Sequence, residues 1–134
     1  MKDQSYFEEL FPNMGILKGN LHKQILKCKL IVLDHPGTTL NFAIAANIPL
    51  IGFWNGKVWA MCRQAEPFFD NMKKMGILWE TGGQAAQKVN EIWDNVNEWW
   101  NQPKIQKARK EWAWNYARTS KHWRRDWIKV IWNL

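Results

Sequence analysis

The apolar residues of this chain change their spacing along its length, and each change marks an element. Residues 6–11 carry a short helical pattern, punctuated afterwards by Pro12, Gly15 and Gly19. Residues 21–27 read as a short helix leading into KLIVL at 29–33, an uninterrupted apolar run of strand length. A run without polar alternation predicts a strand buried on both faces, as in parallel sheets. HPGTT at 35–39 reads as a turn, and residues 40–46 as a small apolar helix broken by Asn47 and Pro49. LIGFW at 50–54 is a second buried strand, so residues 29–54 form a strand–helix–strand unit with an expected right-handed crossover. After the Asn55-Gly56 turn, residues 58–75 read as helix interrupted at Pro67. Gly76 is placed as its C-terminal cap and residues 77–79 as a third strand.

The second half is helical in pattern. Thr81-Gly82-Gly83 opens an amphipathic helix whose apolar positions, Ala85, Val89, Ile92, Trp93, Val96, Trp99 and Trp100, advance by three and four, and Gln102-Pro103 ends it. Residues 104–116 form another helix, with Ile105, Ala108, Trp112 and Tyr116 on one side. Residues 121–132 form the last, with Trp123, Trp127 and Ile131 at i, i+4 and i+8, a spacing that favours inward packing. Strands alternating with helices predict an α/β layer with a parallel sheet. Three strands are fewer than doubly wound folds usually carry. The expected fold is therefore a partial doubly wound, Rossmann-like parallel sheet of about three strands followed by C-terminal helices. Residues 1–134 would be a single domain or fragment, with a strand–helix–strand core at about 29–80 and a helical segment at about 81–134.

Composition adds three constraints. At 134 residues, 46% hydrophobic and 23% charged, the chain has the balance of one globular domain. The longest apolar stretch, 42–54, is interrupted and too short to span a bilayer, and the start MKDQSYFEEL lacks the basic-then-apolar order of a signal peptide. Cys28 and Cys62 lie far apart without metal spacing and read as ordinary buried thiols in a reducing compartment. A cytoplasmic location follows as the expectation, extending to the inner face of the membrane.

Charge is uneven. Residues 1–100 hold ten Lys+Arg against ten Asp+Glu, whereas residues 101–134 hold nine against two, so the net +7 belongs to the last quarter. Five of the eleven tryptophans (Trp112, Trp114, Trp123, Trp127, Trp132) share that basic segment. Helices packing their rings inward, a surface for anionic lipid, and a surface for single-stranded nucleic acid all fit such a composition. Inward packing ranks first on periodicity. Nucleic acid ranks last, since no recognised binding motif accompanies the charge.

The stretch with chemical content is DHPGTT at 34–39, between a strand and a helix. Ligands of open α/β sheets bind beyond the carboxyl ends of the strands, and a helix starting there offers free amides and a positive dipole end to phosphate. Gly37 admits an anion close to the backbone. The Thr38 and Thr39 hydroxyls either donate to phosphate oxygens or cap the helix. His35 contacts phosphate or a leaving group, or is a plain turn histidine. Trp54 and Asn55 end the next strand at the same edge, where Trp54 stacks on a base or sugar or belongs to the core. No nucleophile–base constellation and no metal-spaced histidines are readable.

The order strand–Asp-x-x-Gly-Thr-Thr–Leu-x-x-Ala-x-Ala-x-x-Ile-Pro–strand resembles the nucleotide-sugar-binding C-terminal half of GT-B glycosyltransferases. The longer blocks DHPGTTLNFAIAANIPLIGFWN, WAMCRQAEPFFDNMKKMGIL, QKVNEIWDNVNEWW and RKEWAWNYARTSKHWRRDWI are similar to a family of bacterial transferases linked to surface-polysaccharide assembly. The resemblance implies a nucleotide-diphosphate sugar as donor substrate, with no protein-bound cofactor. It places Asp34, His35, Gly37, Thr38 and Thr39 on the donor-phosphate turn. Asn41 falls where many such enzymes hold the donor ribose with a glutamate, a charge that asparagine lacks. Arg118 and Lys121 would reach the phosphates if the C-terminal helices fold back. The resemblance also implies an N-terminal acceptor half, in cis or in trans, without which the chain is expected to lack turnover and to self-associate. The alternative from another class is a non-enzymatic, basic, Trp-rich module for membrane surface or nucleic acid.

Overall fold

The structure, a computed structural model, describes residues 3–60 and 62–133. Helices α1 (Asp3–Leu10) and α2 (Leu21–Ile25) precede strand β1 (Ile31–Leu33). Helix α3 (Thr38–Ala45) connects β1 to β2 (Leu50–Phe53), and α4 (Glu66–Lys74) connects β2 to β3 (Leu78–Trp79). There follow α5 (Gly82–Ile92), a 3-10 turn (Trp93–Asn95), α6 (Val96–Trp100), α7 (Pro103–Tyr116) and α8 (Trp123–Trp132). The sheet has the order β1-β2-β3 and is parallel throughout, with Ile31 beside Leu50, Leu33 beside Gly52 and Phe53 beside Trp79. The chain is thus α/β, with a three-stranded parallel sheet and C-terminal helices, as its periodicity predicts.

Packing explains both the agreements and the departures. The aromatic chain Trp54–Phe69–Trp112, with ring centroids 5.8 and 4.5 Å apart, joins β2 to α4 and α7. Helix α7 lies against both α3 and α4, while α5 packs over β2 and β3. The central strand is accordingly sealed, with Leu50 and Ile51 fully buried. Edge strand β1 is different. Val32, which shares a sheet face with Ile51, is 50% exposed, so the apolar run at 29–33 is not buried on both faces.

Three helical expectations change. The helix expected over 58–75 starts only at Glu66, and Pro67 sits in its first turn, where a missing N–H leaves no acceptor unsatisfied. Residues 57–59 are held in a turn instead. Asn55 Oδ1 accepts from the Lys57 amide at 2.9 Å, and the Asn55 carbonyl accepts from the amides of Val58 and Trp59. Met61, within the same expected helix, lies outside the described residues. Gly76 does follow the last turn of α4 with φ +72°, the left-handed conformation that favours glycine. The helix expected from Thr81 onwards is capped by Thr81 Oγ1, which accepts from Gln84 N at 3.3 Å, but breaks at the 3-10 turn. That break leaves Trp93 exposed and returns Val96, Trp99 and Trp100 to the core.

The last helix departs furthest. Trp123, Trp127 and Ile131 are 56%, 63% and 61% exposed, and no described side chain of α8 is buried. A stripe at i, i+4, i+8 establishes a shared face, not the presence of something to cover it. The position against α3 and α4 is already taken by α7, through Ile105, Ala108 and Trp112. Cys62 is likewise exposed and Cys28 only half-buried, contrary to the expectation of two buried thiols. No helix among the described residues is long and apolar enough to cross a membrane.

Candidate functional site

Parallel pairing puts the carboxyl ends of all three strands on one rim. The segments that leave it begin at Asp34 after β1, Trp54 after β2 and Glu80 after β3. The first of these is the DHPGTT turn. Gly37, with φ −84° and ψ −176°, is the N-cap of α3 and contributes no side-chain cap. Its own amide bonds to the His35 carbonyl at 3.0 Å, and Leu40 N bonds back to the Gly37 carbonyl at 3.0 Å. The amides of Thr38 and Thr39 fall between these two bonds, where an α-helix has no carbonyl to offer. Neither threonine is therefore the cap, and neither hydroxyl makes a hydrogen bond among the described residues. Thr38 is exposed and Thr39 half-buried.

His35 and Asp34 form a pair at the front of this turn. Nδ1 of His35 lies 2.6 Å from Oδ1 of Asp34, and both side chains are open to solvent. The hydrogen bond with His35 holds the Asp34 carboxyl below the ordinary aspartate value, a small amount of burial acting the other way. The imidazole turns its Nε2–Cδ2 edge toward Gly37, since a Cβ added there would meet His35 Nε2 at 2.8 Å and Cδ2 at 3.0 Å. Glycine thus lets the imidazole cross the start of the helix. On its far side the imidazole meets the Trp59 ring, 5.8 Å between centroids.

Trp59 falls within the helix expected over 58–75 but sits instead on the turn after β2, its amide bonded to the Asn55 carbonyl. It lines a cavity of about 150 Å³ together with Trp54, Glu66, Asp70 and Lys73. The exposed Trp59 ring thus links the 34–39 turn to a small cleft with both acidic and basic walls. Trp54 itself is buried edge-on against Phe69 and forms the floor. Asn55 stays at the rim but spends its side-chain oxygen on the Lys57 amide.

The remaining candidates are engaged elsewhere. Asn41 Oδ1 accepts from Trp112 Nε1 at 2.9 Å, a bond that ties α3 to α7. The Arg118 guanidinium stacks 4.0 Å from the Trp114 ring and lines a 510 Å³ cavity with Ala45, at the end of α3 away from Gly37. Lys121 gathers with His122, Trp123 and Arg125 around the start of α8. The structure therefore groups Asp34, His35, Gly37, Thr38 and Thr39 on one rim with Trp54 and Asn55, and leaves Arg118 at the opposite end of α3. Among the described residues no set of three His, Cys, Asp or Glu side chains is arranged to hold a metal ion.

A protein-family model described as LIC12162 family transferase matches residues 1–131. No curated protein and no solved structure matches the chain.

Proposed function

Since the chain belongs to the LIC12162 family of transferases, we propose that its part in the reaction is to bind a nucleotide-diphosphate sugar at the 34–39 rim. One observation carries this reading: the first turn of α3 presents two unpaired amides and two unpaired threonine hydroxyls at the carboxyl edge of a parallel sheet. These are four donors in one place, reinforced by the positive end of the helix dipole. An oxygen of the donor diphosphate accepts from the Thr38 and Thr39 groups, and the His35 ring, its Nδ1 held by Asp34, stands beside them. As the bond from the sugar's anomeric carbon to the diphosphate oxygen breaks, its electron pair goes to that oxygen. Donors already aimed there stabilise the charge without having to reorganise. Trp59, exposed beside His35, offers a face for the base or sugar.

The transfer in this reading belongs to surface-polysaccharide biosynthesis, with the acceptor positioned by a second α/β half in cis or in trans. Strand β1 lies at the edge of the described sheet, in keeping with a sheet that another unit continues.

Calorimetric titration with UDP, CDP and GDP tests the donor site. Saturable binding to one of them is expected, weakened about tenfold or more in Thr38→Ala/Thr39→Ala, the loss that hydrogen bonds to a charged group entail. Equal affinity of the double variant, or no binding of any of the three, overturns the reading.

A further inference from the structure

Helix α8 combines three properties that the proposed donor site does not use. No described side chain in it is buried, it carries six large exposed apolar residues, and it closes the basic segment. At 3.6 residues per turn Val130, Trp123, Trp127 and Ile131 fall side by side, with Ile128 further round the helix beyond Arg124 and Trp132 beside Arg125. Arg125, Lys129 and Asp126 fall opposite. Arg124 sits at the boundary, its guanidinium 5.2 Å from the Trp123 ring. Trp132, 84% exposed, ends the helix between Ile128 and Arg125.

We propose that α8 lies in the surface of a membrane rich in anionic lipid, its Trp/Ile/Val face among the acyl chains and its cations at the headgroups. A short amphipathic helix with tryptophans on one face and Lys/Arg on the other has the pattern that binds in the plane of the interface. Tryptophan prefers that depth because its ring is apolar and its N–H polar. Charge selects the lipid: Lys121, Arg124, Arg125 and Lys129 stand against Asp126 alone, and each cation near an anionic surface adds to the attraction. The other occupants fit less well. A second copy of α8 would set like charges against each other. Single-stranded nucleic acid stacks on rings flanked by cations, whereas half of this face is aliphatic and Arg125 and Lys129 point away from it. The inference does not rest on the donor-site reading.

Sedimentation of the full chain with vesicles tests it, using phosphatidylcholine alone and phosphatidylcholine mixed with phosphatidylglycerol. The chain is expected to partition onto the anionic vesicles, less so as salt rises. Trp127→Ser/Trp132→Ser should weaken that partition about tenfold or more, because two interfacial rings are lost. Arg125→Gln/Lys129→Gln should weaken the preference for phosphatidylglycerol. Both variants should keep the wild-type circular dichroism spectrum and nucleotide titration, since α8 contributes no buried side chain. Absent vesicle binding, or vesicle binding indifferent to both variants, overturns the proposal. So does a Trp127→Ser/Trp132→Ser variant that turns an oligomer into a monomer, or loses oligonucleotide binding, with vesicle partition unchanged.

Discussion

Two tryptophans of the same basic segment have opposite fates, and the difference is local. Trp112 is 4% exposed, meets Phe69 nearly edge-on and donates from Nε1 to Asn41, while Trp127 is 63% exposed. Trp112→Ala should therefore cost about 3–5 kcal/mol in urea unfolding, the range for truncating a buried aromatic. Trp127→Ala should stay within about 0.5 kcal/mol, as exposed positions do. Equal losses at the two sites would mean that α8 packs as its periodicity suggests. The turn at 34–39 is legible because Pro-Gly between an apolar run and a helix breaks both within a few residues, whereas only the fold decides that neither threonine caps the helix. Trp59 is not legible, since only folding brings it against His35. Nor is the engagement of Asn41 by Trp112, two residues 71 positions apart.

At the scale of elements, the strongest signals were the terminators. Gly76, Thr81 and Pro103 mark ends that the structure keeps, because left-handed backbone, a capping hydroxyl and a missing N–H act over one turn. Apolar spacing predicts helix in the segment before Pro67, but bonds to Asn55 and Cys62 carbonyls hold it as turns. Glycines in the two kinds of place should respond differently. A Cβ on Gly52 of β2 would stand 2.7 Å from Leu78 Cδ2 and 2.8 Å from Trp54 Cζ3, whereas one on Gly83 of α5 meets nothing within 4 Å. Gly52→Ala should lose about 1–3 kcal/mol to overpacking between two buried side chains. Gly83→Ala, in the first turn of a helix, should be neutral or gain about 0.4–1 kcal/mol by restricting the unfolded chain. Thermal unfolding of both variants checks the contrast, and a stabilised Gly52→Ala would mean that the sheet face has slack.

For the molecule as a whole, the 34–39 turn stands open to water, with the Asp34 and His35 side chains 74% and 51% exposed. Holding two reactants in line contributes about 7–11 kcal/mol of a transfer barrier, and an open rim supplies little of it. The purified chain alone should therefore release no nucleoside diphosphate above background when offered sugar nucleotides and a panel of acceptors. Robust sugar transfer by the monomer would show that the active site includes side chains described here as packing. The α/β class, the strand order along the chain, the Gly-Thr-Thr turn and the basic Trp-rich end were all determined by the sequence itself. Each depends on short-range periodicity or on one turn of backbone, whose physics is complete within a few residues. Tertiary structure alone decided which apolar stripe is covered, which polar side chain is already bonded, and which face of β1 lies open. Those outcomes turn on competition for a limited surface. Helix α7 occupies the position against α3 and α4, and once it is filled an equally regular stripe on α8 is left to face outward.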